Sequence, residues 1–321
     1  MTKQVPNPEF AVRNSLFLHS GAVGDSVLTL HVAAALRSAF PKARIEIAAR
    51  CPLARFAVGR GPIDAALDPD HIGLHHLYGC GHIPAETAGR LRRFDLVISF
   101  LGGPESTVAA RLSGCTPSPV LSVDPAPPPG AKALHVTQQW LDALSRAGLT
   151  LKPATGRLLS VSAGDRRAAR TALGEIAARP PGRTVVCHPG SGGRAKCCPL
   201  ETLEEVVRGL QNRSHTALWM IGPAEFEWHG AGYIQRLSRT APVLFEESLL
   251  RAARLLMGAD CFIGHDAGMT HLAAGLGLPT VALFGPTDPR VWRPLGPSAT
   301  VLRFDPAPAD SRFAEDILAV V

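Results

Sequence analysis

The chain has 321 residues, 46% of them hydrophobic, with a formal net charge of +6 and a pI of 9.2. That length suits two domain cores, and no apolar run approaches the roughly 18 residues of a membrane helix; residues 1–8 also lack a signal-peptide core, so a cytoplasmic protein is expected. Seven cysteines without framework spacing point to reduced thiols, and the mild basic excess suits anionic small molecules or an anionic membrane surface rather than nucleic acid, for which no basic stripe with interleaved aromatics is present.

Residues 16–18 read as a short strand running into the glycine turn His19-Ser20-Gly21-Ala22-Val23-Gly24-Asp25. Helical spacing over 27–40 ends at Pro41, and 45–48 reads as the next strand. This strand, loop, helix, strand order resembles a nucleotide-binding unit. It is not the dinucleotide fingerprint, because His19 stands where the first glycine belongs. A weak helix over 54–59 follows, another ends near Leu91-Arg92-Arg93, and then come a strand over 95–100, a turn at Leu101-Gly102-Gly103-Pro104 and a short helix over 109–114. Residues 124–130 are too proline-rich for an element interior and read as an exposed loop. Residues 135–148 are amphipathic, with Val136, Trp140, Leu141 and Leu144 on one side. The domain boundary is expected after them, giving domains 1–160 and 161–321.

The second half repeats the pattern. A helix over 163–178 precedes a strand at 184–187, which opens into His188-Pro189-Gly190-Ser191-Gly192-Gly193. A helix over 200–210 begins after Pro199, a strand over 217–221 ends at Gly222-Pro223-Ala224-Glu225, and 249–257 is helical. Residues 261–263 form a strand that breaks at Gly264 into the polar turn His265-Asp266-Ala267-Gly268; a helix over 269–276 stops at Gly277 and Pro279, and 280–284 is a second buried strand. Residues 312–321 form a last helix. The fold class is α/β: two Rossmann-like domains, each opening on a strand and a glycine-rich loop.

Several residues suit chemistry. Asp25 beside a helix start is either a first-turn carboxylate that stabilises the helix or a general base for a substrate hydroxyl. Lys196 lies in a loop of small residues with free N–H groups, which suits a phosphate cradle with a cation beside it. The loop is not a P-loop, since it lacks the glycine before the lysine and the Ser/Thr after it. Asp266, Gly268, Thr270 and His271 surround a strand-to-helix turn. They serve either the turn itself or an anion, such as a diphosphate, met by N–H groups and Thr270. Glu225 follows a strand and can accept both hydroxyls of a ribose, with Glu227 as its competitor. His71, His75, His76, Cys80 and His82 are dense but fit no metal pattern and read as a surface loop. Cys197 and Cys198 read as free thiols, and no catalytic triad is visible.

Three blocks together resemble the glycosyltransferase family 9 heptosyltransferases. They are Gly21-Ala22-Val23-Gly24-Asp25 with Leu36-Arg37…Phe40-Pro41, His188-Pro189-Gly190-Ser191-Gly192-Gly193…Lys196…Pro199, and residues 264–274 through Phe284-Gly285-Pro286-Thr287. The resemblance implies a GT-B fold, two Rossmann-like domains facing a central cleft, with the acceptor on the N-terminal side beside the Gly21 and Gly24 loop. The nucleotide-sugar donor would lie on the C-terminal side, and the final helix is free to pack back on the N-terminal domain. It implies inverting transfer from an ADP-sugar, with ADP-heptose as donor, to a lipopolysaccharide-core or other cell-surface glycan acceptor. No metal or cofactor is implied, and the lipid-linked acceptor suggests peripheral contact with the inner membrane. Asp25 matches the base and Lys196 the diphosphate contact; Ser191, Gly192, Asp266, Ala267, Gly268, Met269, Thr270 and His271 match the donor-binding segments, with Glu225 as the ribose acid. Cys198 stands where the family commonly has an aromatic, and Ala267 where it has Ser or Thr. A sugar-nucleotide epimerase or hydrolase, and a non-catalytic sugar-nucleotide-binding protein, are the alternatives on such a scaffold.

Overall fold

The structure is a computed structural model that describes residues 12–126, 133–177, 182–305 and 311–321. The segments 1–8 and 127–130, read above as a polar start and as most of the proline-rich loop, lie outside the described residues. The chain divides into two units, Met1–Leu158 and Leu159–Val321.

In the first unit the elements run β1 (Asn14–His19), α1 (Val23–Ala39), β2 (Arg44–Ala49), α2 (Leu53–Ala57), β3 (Ala65–Leu67), α3 (Ala85–Leu91), β4 (Leu96–Ser99), α4 (Thr107–Cys115), β5 (Val120–Ser122) and α5 (Val136–Arg146). The strands form one sheet of order β3-β2-β1-β4-β5, and all its pairings are parallel. β1 and β4 are buried almost end to end because helices cover both faces of such a sheet. The chain leaves β1 in one direction, through β2 and β3, and returns on its other side through β4 and β5. The carboxyl end of β1 therefore lies at a topological switch point, where the strands part and leave a crevice. Phe100 packs between His19 and Trp140, at ring-centroid distances of 6.1 and 4.8 Å, and backs this strand end with an aromatic wall.

The second unit contains α6 (Ala163–Ile176), β6 (Thr184–His188), α7 (Leu200–Asn212), β7 (Thr216–Ile221), α8 (Pro223–His229), α9 (Ala231–Ser238), β8 (Val243–Phe245), α10 (Leu249–Leu256), β9 (Cys261–His265), α11 (Gly268–Gly275), β10 (Thr280–Phe284), α12 (Pro289–Trp292), β11 (Ala299–Arg303) and α13 (Ser311–Val320). Its parallel sheet has the order β11-β10-β9-β6-β7-β8, so the switch point falls between β6 and β9. The core on one face joins Val185, Trp219, Ile263 and Leu283 to Leu203, Val206 and Leu210 of α7. The last helix, α13, lies on α7. Ala314 and Ile317 enter this same core, and Leu318 takes the space beside Gly209.

The structure also moves some boundaries. α1 begins at Val23 rather than at residue 27, so Gly24 is helical and does not belong to a loop. β9 continues through Gly264 to His265. Among the described residues, no helix is long and apolar enough to cross a membrane.

Candidate functional site

Three neighbouring strands of the second unit, β9, β6 and β7, end on one edge of the sheet. Each is followed by a segment that carries polar side chains, and direct contacts link these segments into one set. After β6, the Ser191 hydroxyl donates to the Asp266 carbonyl at 2.6 Å. Five residues on, Lys196 Nζ donates to Asp266 Oδ2 at 2.8 Å. The Cys198 N–H then donates to His265 Nε2 at 3.0 Å. The loop after β6 is thus tied to the β9–α11 turn at three points. Asp266 is almost wholly buried, with 8% of its side chain exposed, whereas Lys196 keeps 36% of its side chain exposed. An ammonium has three donors, and Asp266 occupies one of them.

Glu225 closes the set from β7. It is the third residue of α8, its Oε2 accepts the Gly222 N–H at 2.8 Å, and it is buried. Its other oxygen reaches the loop after β6, where a Cβ on Gly190 would stand 1.9 Å from Oε1. Only glycine lets that carboxylate approach. His188 donates from Nδ1 to the Met220 carbonyl at 2.8 Å, and its Nε2 lies 3.8 Å from Glu225 Oε1.

Within the β9–α11 turn the predicted residues take different roles. Ala267 is the N-cap in extended conformation, and Gly268 and Met269 open the helix half-exposed, which leaves first-turn N–H groups available to an anion. Thr270 does not face that space. It is fully buried and its hydroxyl donates to the His265 carbonyl at 2.5 Å, so it braces the turn from inside; His271 is buried behind it. Gly192 is exposed at the loop tip and Ser191 is buried beneath it. Glu227 shows no hydrogen bond or ion pair among the described residues, whereas Glu225 belongs to the connected set.

The sequence reading missed two groups. Phe226 and Phe245, beside Glu225 and at the end of β8, are 41% and 37% exposed with ring centroids 5.6 Å apart; an aromatic next to the predicted ribose acid was the available signal. His265, read as part of a turn, is fully buried, and burial pushes its pKa down to about 3.

The thiols are quiet. Burial pushes Cys197 up to about 11 and Cys198 up to about 12, so both are protonated near neutral pH. All seven cysteines are free. His71, His75, Cys80 and His82 are exposed, and among the described residues no group of three or more His, Cys, Asp or Glu side chains is arranged to hold a metal ion.

In the first unit Asp25 stands in the first turn of α1, at the switch point beyond β1. Its Oδ2 accepts the Ala22 N–H at 3.1 Å and caps the helix, while Oδ1 has no hydrogen bond among the described residues. The helix starts a turn earlier than its apolar spacing suggests because this carboxylate satisfies an N-terminal donor. A Cβ on Gly21 would meet Asp25 Oδ2 and His19 Cε1 at 2.5 Å each, so the bend needs glycine. His19 accepts the Gly21 N–H at Nδ1, and burial holds its pKa below the ordinary 6.5 while the charge of Asp25 opposes that shift.

Residues 127–319 match the family model for glycosyltransferase family 9 (heptosyltransferase). The chain belongs to this family. The family-9 chain is 31% identical over 200 residues to lipopolysaccharide heptosyltransferase 1 of Pseudomonas aeruginosa, a match covering 61% of this chain and 56% of that protein. It is 30% identical over 113 residues to lipopolysaccharide heptosyltransferase 3 of Escherichia coli, over 34% of this chain and 33% of the relative. The matched stretches thus span about half or less of these curated relatives. Among solved structures it resembles the E. coli ADP-heptose lps heptosyltransferase II, with a TM-score of 0.70 at 18% identity, covering 96% of this chain and 98% of that one. It also resembles E. coli heptosyltransferase WaaC with ADP, with a TM-score of 0.64 at 19% identity, covering 95% and 99%. At such identities these likenesses speak to the fold: α/β with two parallel sheets, the GT-B class.

Proposed function

We propose that the chain is an inverting glycosyltransferase that moves a heptose, or a related sugar, from an ADP-sugar to a lipopolysaccharide-core or other cell-surface glycan acceptor. The observation that carries this reading is the connected set Glu225, Gly190, Ser191, Asp266 and Lys196 at the switch point of the second sheet. It offers what a nucleoside diphosphate needs, in order along the edge. Phe226 and Phe245 present aromatic faces for a base, Glu225 accepts ribose hydroxyls, and the half-exposed Lys196 with the Gly268 and Met269 N–H groups meets the diphosphate. Asp25 takes the proton of the acceptor hydroxyl at Oδ1 as that oxygen attacks the anomeric carbon. The sugar–phosphate bond breaks in the same step, and Lys196 stabilises the charge that grows on the departing diphosphate. One displacement inverts the anomeric configuration. A lipid-linked acceptor would bring the protein to the inner membrane as a peripheral protein.

The deciding experiment incubates the protein with ADP-heptose and a panel of other sugar nucleotides, and scores nucleotide release with and without acceptor. Release that requires acceptor and yields a product of inverted configuration supports the reading. Acceptor-independent release identifies a hydrolase, and binding without turnover of any donor identifies a sugar-nucleotide-binding protein.

A further inference from the structure

The loop from Ser191 to Cys198 has little internal structure to hold it. Its regular part is a single 3-10 turn, Arg194–Lys196, closed by the Lys196 N–H to Gly193 carbonyl and Cys197 N–H to Arg194 carbonyl bonds. Its position is therefore set by what it leans on. The Ser191 and Lys196 anchors both use Asp266, the first its carbonyl and the second its carboxylate. Arg194 reaches α8, where it donates to the Trp228 carbonyl. The anchor at the far end of the loop uses a different residue and a different chemistry: the backbone N–H of Cys198 donates to an imidazole nitrogen.

We infer that His265 is a positioning residue, whose neutral imidazole holds the Cys198 N–H and thereby fixes where the loop presents Lys196. The inference rests on the reading of Lys196 as the contact to the donor diphosphate. His265 is fully buried, so it touches no ligand itself. Its Nε2 accepts a backbone N–H, so the ring proton sits on Nδ1. Burial keeps the ring unprotonated at any pH where the enzyme would work. Phe304 packs edge-on to the ring at a centroid distance of 6.1 Å, and Cys198 Sγ lies 3.2 Å from the same Nε2. Both contacts favour the observed ring orientation. The Cys198 amide is buried with it, so losing the acceptor leaves that donor unpaired, a state proteins avoid by moving the backbone. One residue separates Cys198 from Lys196, and consecutive Cα atoms are about 3.8 Å apart, so a displaced Cys198 displaces the lysine with it. An imidazole suits the position because it combines an acceptor with a rigid apolar body; an aliphatic side chain of similar size would fill the space and accept nothing.

The test compares His265→Leu and His265→Gln in the full chain by hydrogen–deuterium exchange and by calorimetric titration with ADP. His265→Leu should speed exchange across 191–198 by about tenfold or more and raise the ADP Kd by about tenfold, with protection of β7 unchanged. His265→Gln, whose amide oxygen can accept the N–H, should recover part of both. In a Lys196→Ala background, His265→Leu should no longer change ADP affinity, because the effect travels through the lysine. Unchanged exchange in 191–198 would overturn the proposal, and so would an equal loss of ADP affinity with and without Lys196. Should His265→Leu fail to fold, His265→Asn against His265→Gln makes the same comparison, since asparagine is one methylene too short to reach. Wild-type protein that binds none of ADP, UDP and GDP would sink the donor reading, and the exchange comparison would still decide whether His265 holds the loop.

Discussion

Lys196→Ala tests the proposed contact between its ammonium and a donor diphosphate. The ammonium stands 2.8 Å from Asp266 Oδ2, with 36% of the lysine side chain and 8% of the aspartate side chain exposed. A charge-assisted hydrogen bond to a diphosphate oxygen is worth about 1.5–3 kcal/mol, so its loss should raise the ADP Kd by about 10- to 150-fold. The same substitution strips Asp266 of its cation. A fully buried carboxylate left alone costs several kcal/mol, but here the space vacated by a half-exposed lysine admits water. The stability loss should therefore be near 1 kcal/mol, or about 2–4 °C in Tm for a unit of this size. Titration calorimetry with ADP and a thermal melt read the two effects separately. Lys196→Arg keeps the charge and should fall between wild type and alanine. ADP affinity within about twofold of wild type in Lys196→Ala would refute the diphosphate assignment, because twofold is about 0.4 kcal/mol, well under the range expected for that contact.

Further outcomes follow from the same geometry. Asp25→Asn should retain the helix cap, since an amide oxygen can still accept the Ala22 N–H, yet lower transfer by about a hundred- to ten-thousand-fold with ADP binding intact; near wild-type turnover would remove Asp25 as base. Glu225→Gln keeps the size of the side chain and an acceptor for the Gly222 N–H but loses its charge. It should weaken ADP binding by about tenfold, and the deficit should shrink for 2′,3′-dideoxy-ADP if the carboxylate meets the ribose hydroxyls. The buried His265 has its pKa lowered from the ordinary 6.5 to about 3. The unfolded chain therefore binds a proton there that the folded chain refuses. Stability is full above pH 6.5 and falls as pH drops towards 3, by about 1.4 kcal/mol per pH unit for this group. His19 shifts in the same direction. His265→Gln should flatten the fall in stability between pH 6.5 and 5 relative to wild type, and identical slopes in urea unfolding would show that the group is not buried as a neutral ring.

Much of this was legible in the sequence because long apolar runs between glycine loops have few ways to fold. The strand over 280–284 coincides with β10, and the segments around Phe17, Ile98 and Val186 sit in the sheets where their apolar character puts them. The elements that escaped notice are short or lie at sheet edges. β3, β5 and β8 are three residues each, too few to show a period, and β11 is a half-exposed edge strand. Gly222-Pro223 was read as a turn, although proline also suits the first position of a helix, where its missing N–H costs nothing; α8 begins there.

The sequence by itself determined the class of fold, the two strand-and-glycine-loop openings and the short roster of polar residues beside them, since periodicity and turn chemistry are local. The tertiary structure decided which of those residues touch one another. Asp266 is joined to Lys196 and Ser191 across 70 and 75 positions of chain, Cys198 to His265 across 67, and Gly190 makes room for Glu225. It also turned the Thr270 hydroxyl inward and buried His265 completely. Which way a side chain faces depends on what packs against it from a distant segment, and no local pattern of residues encodes that.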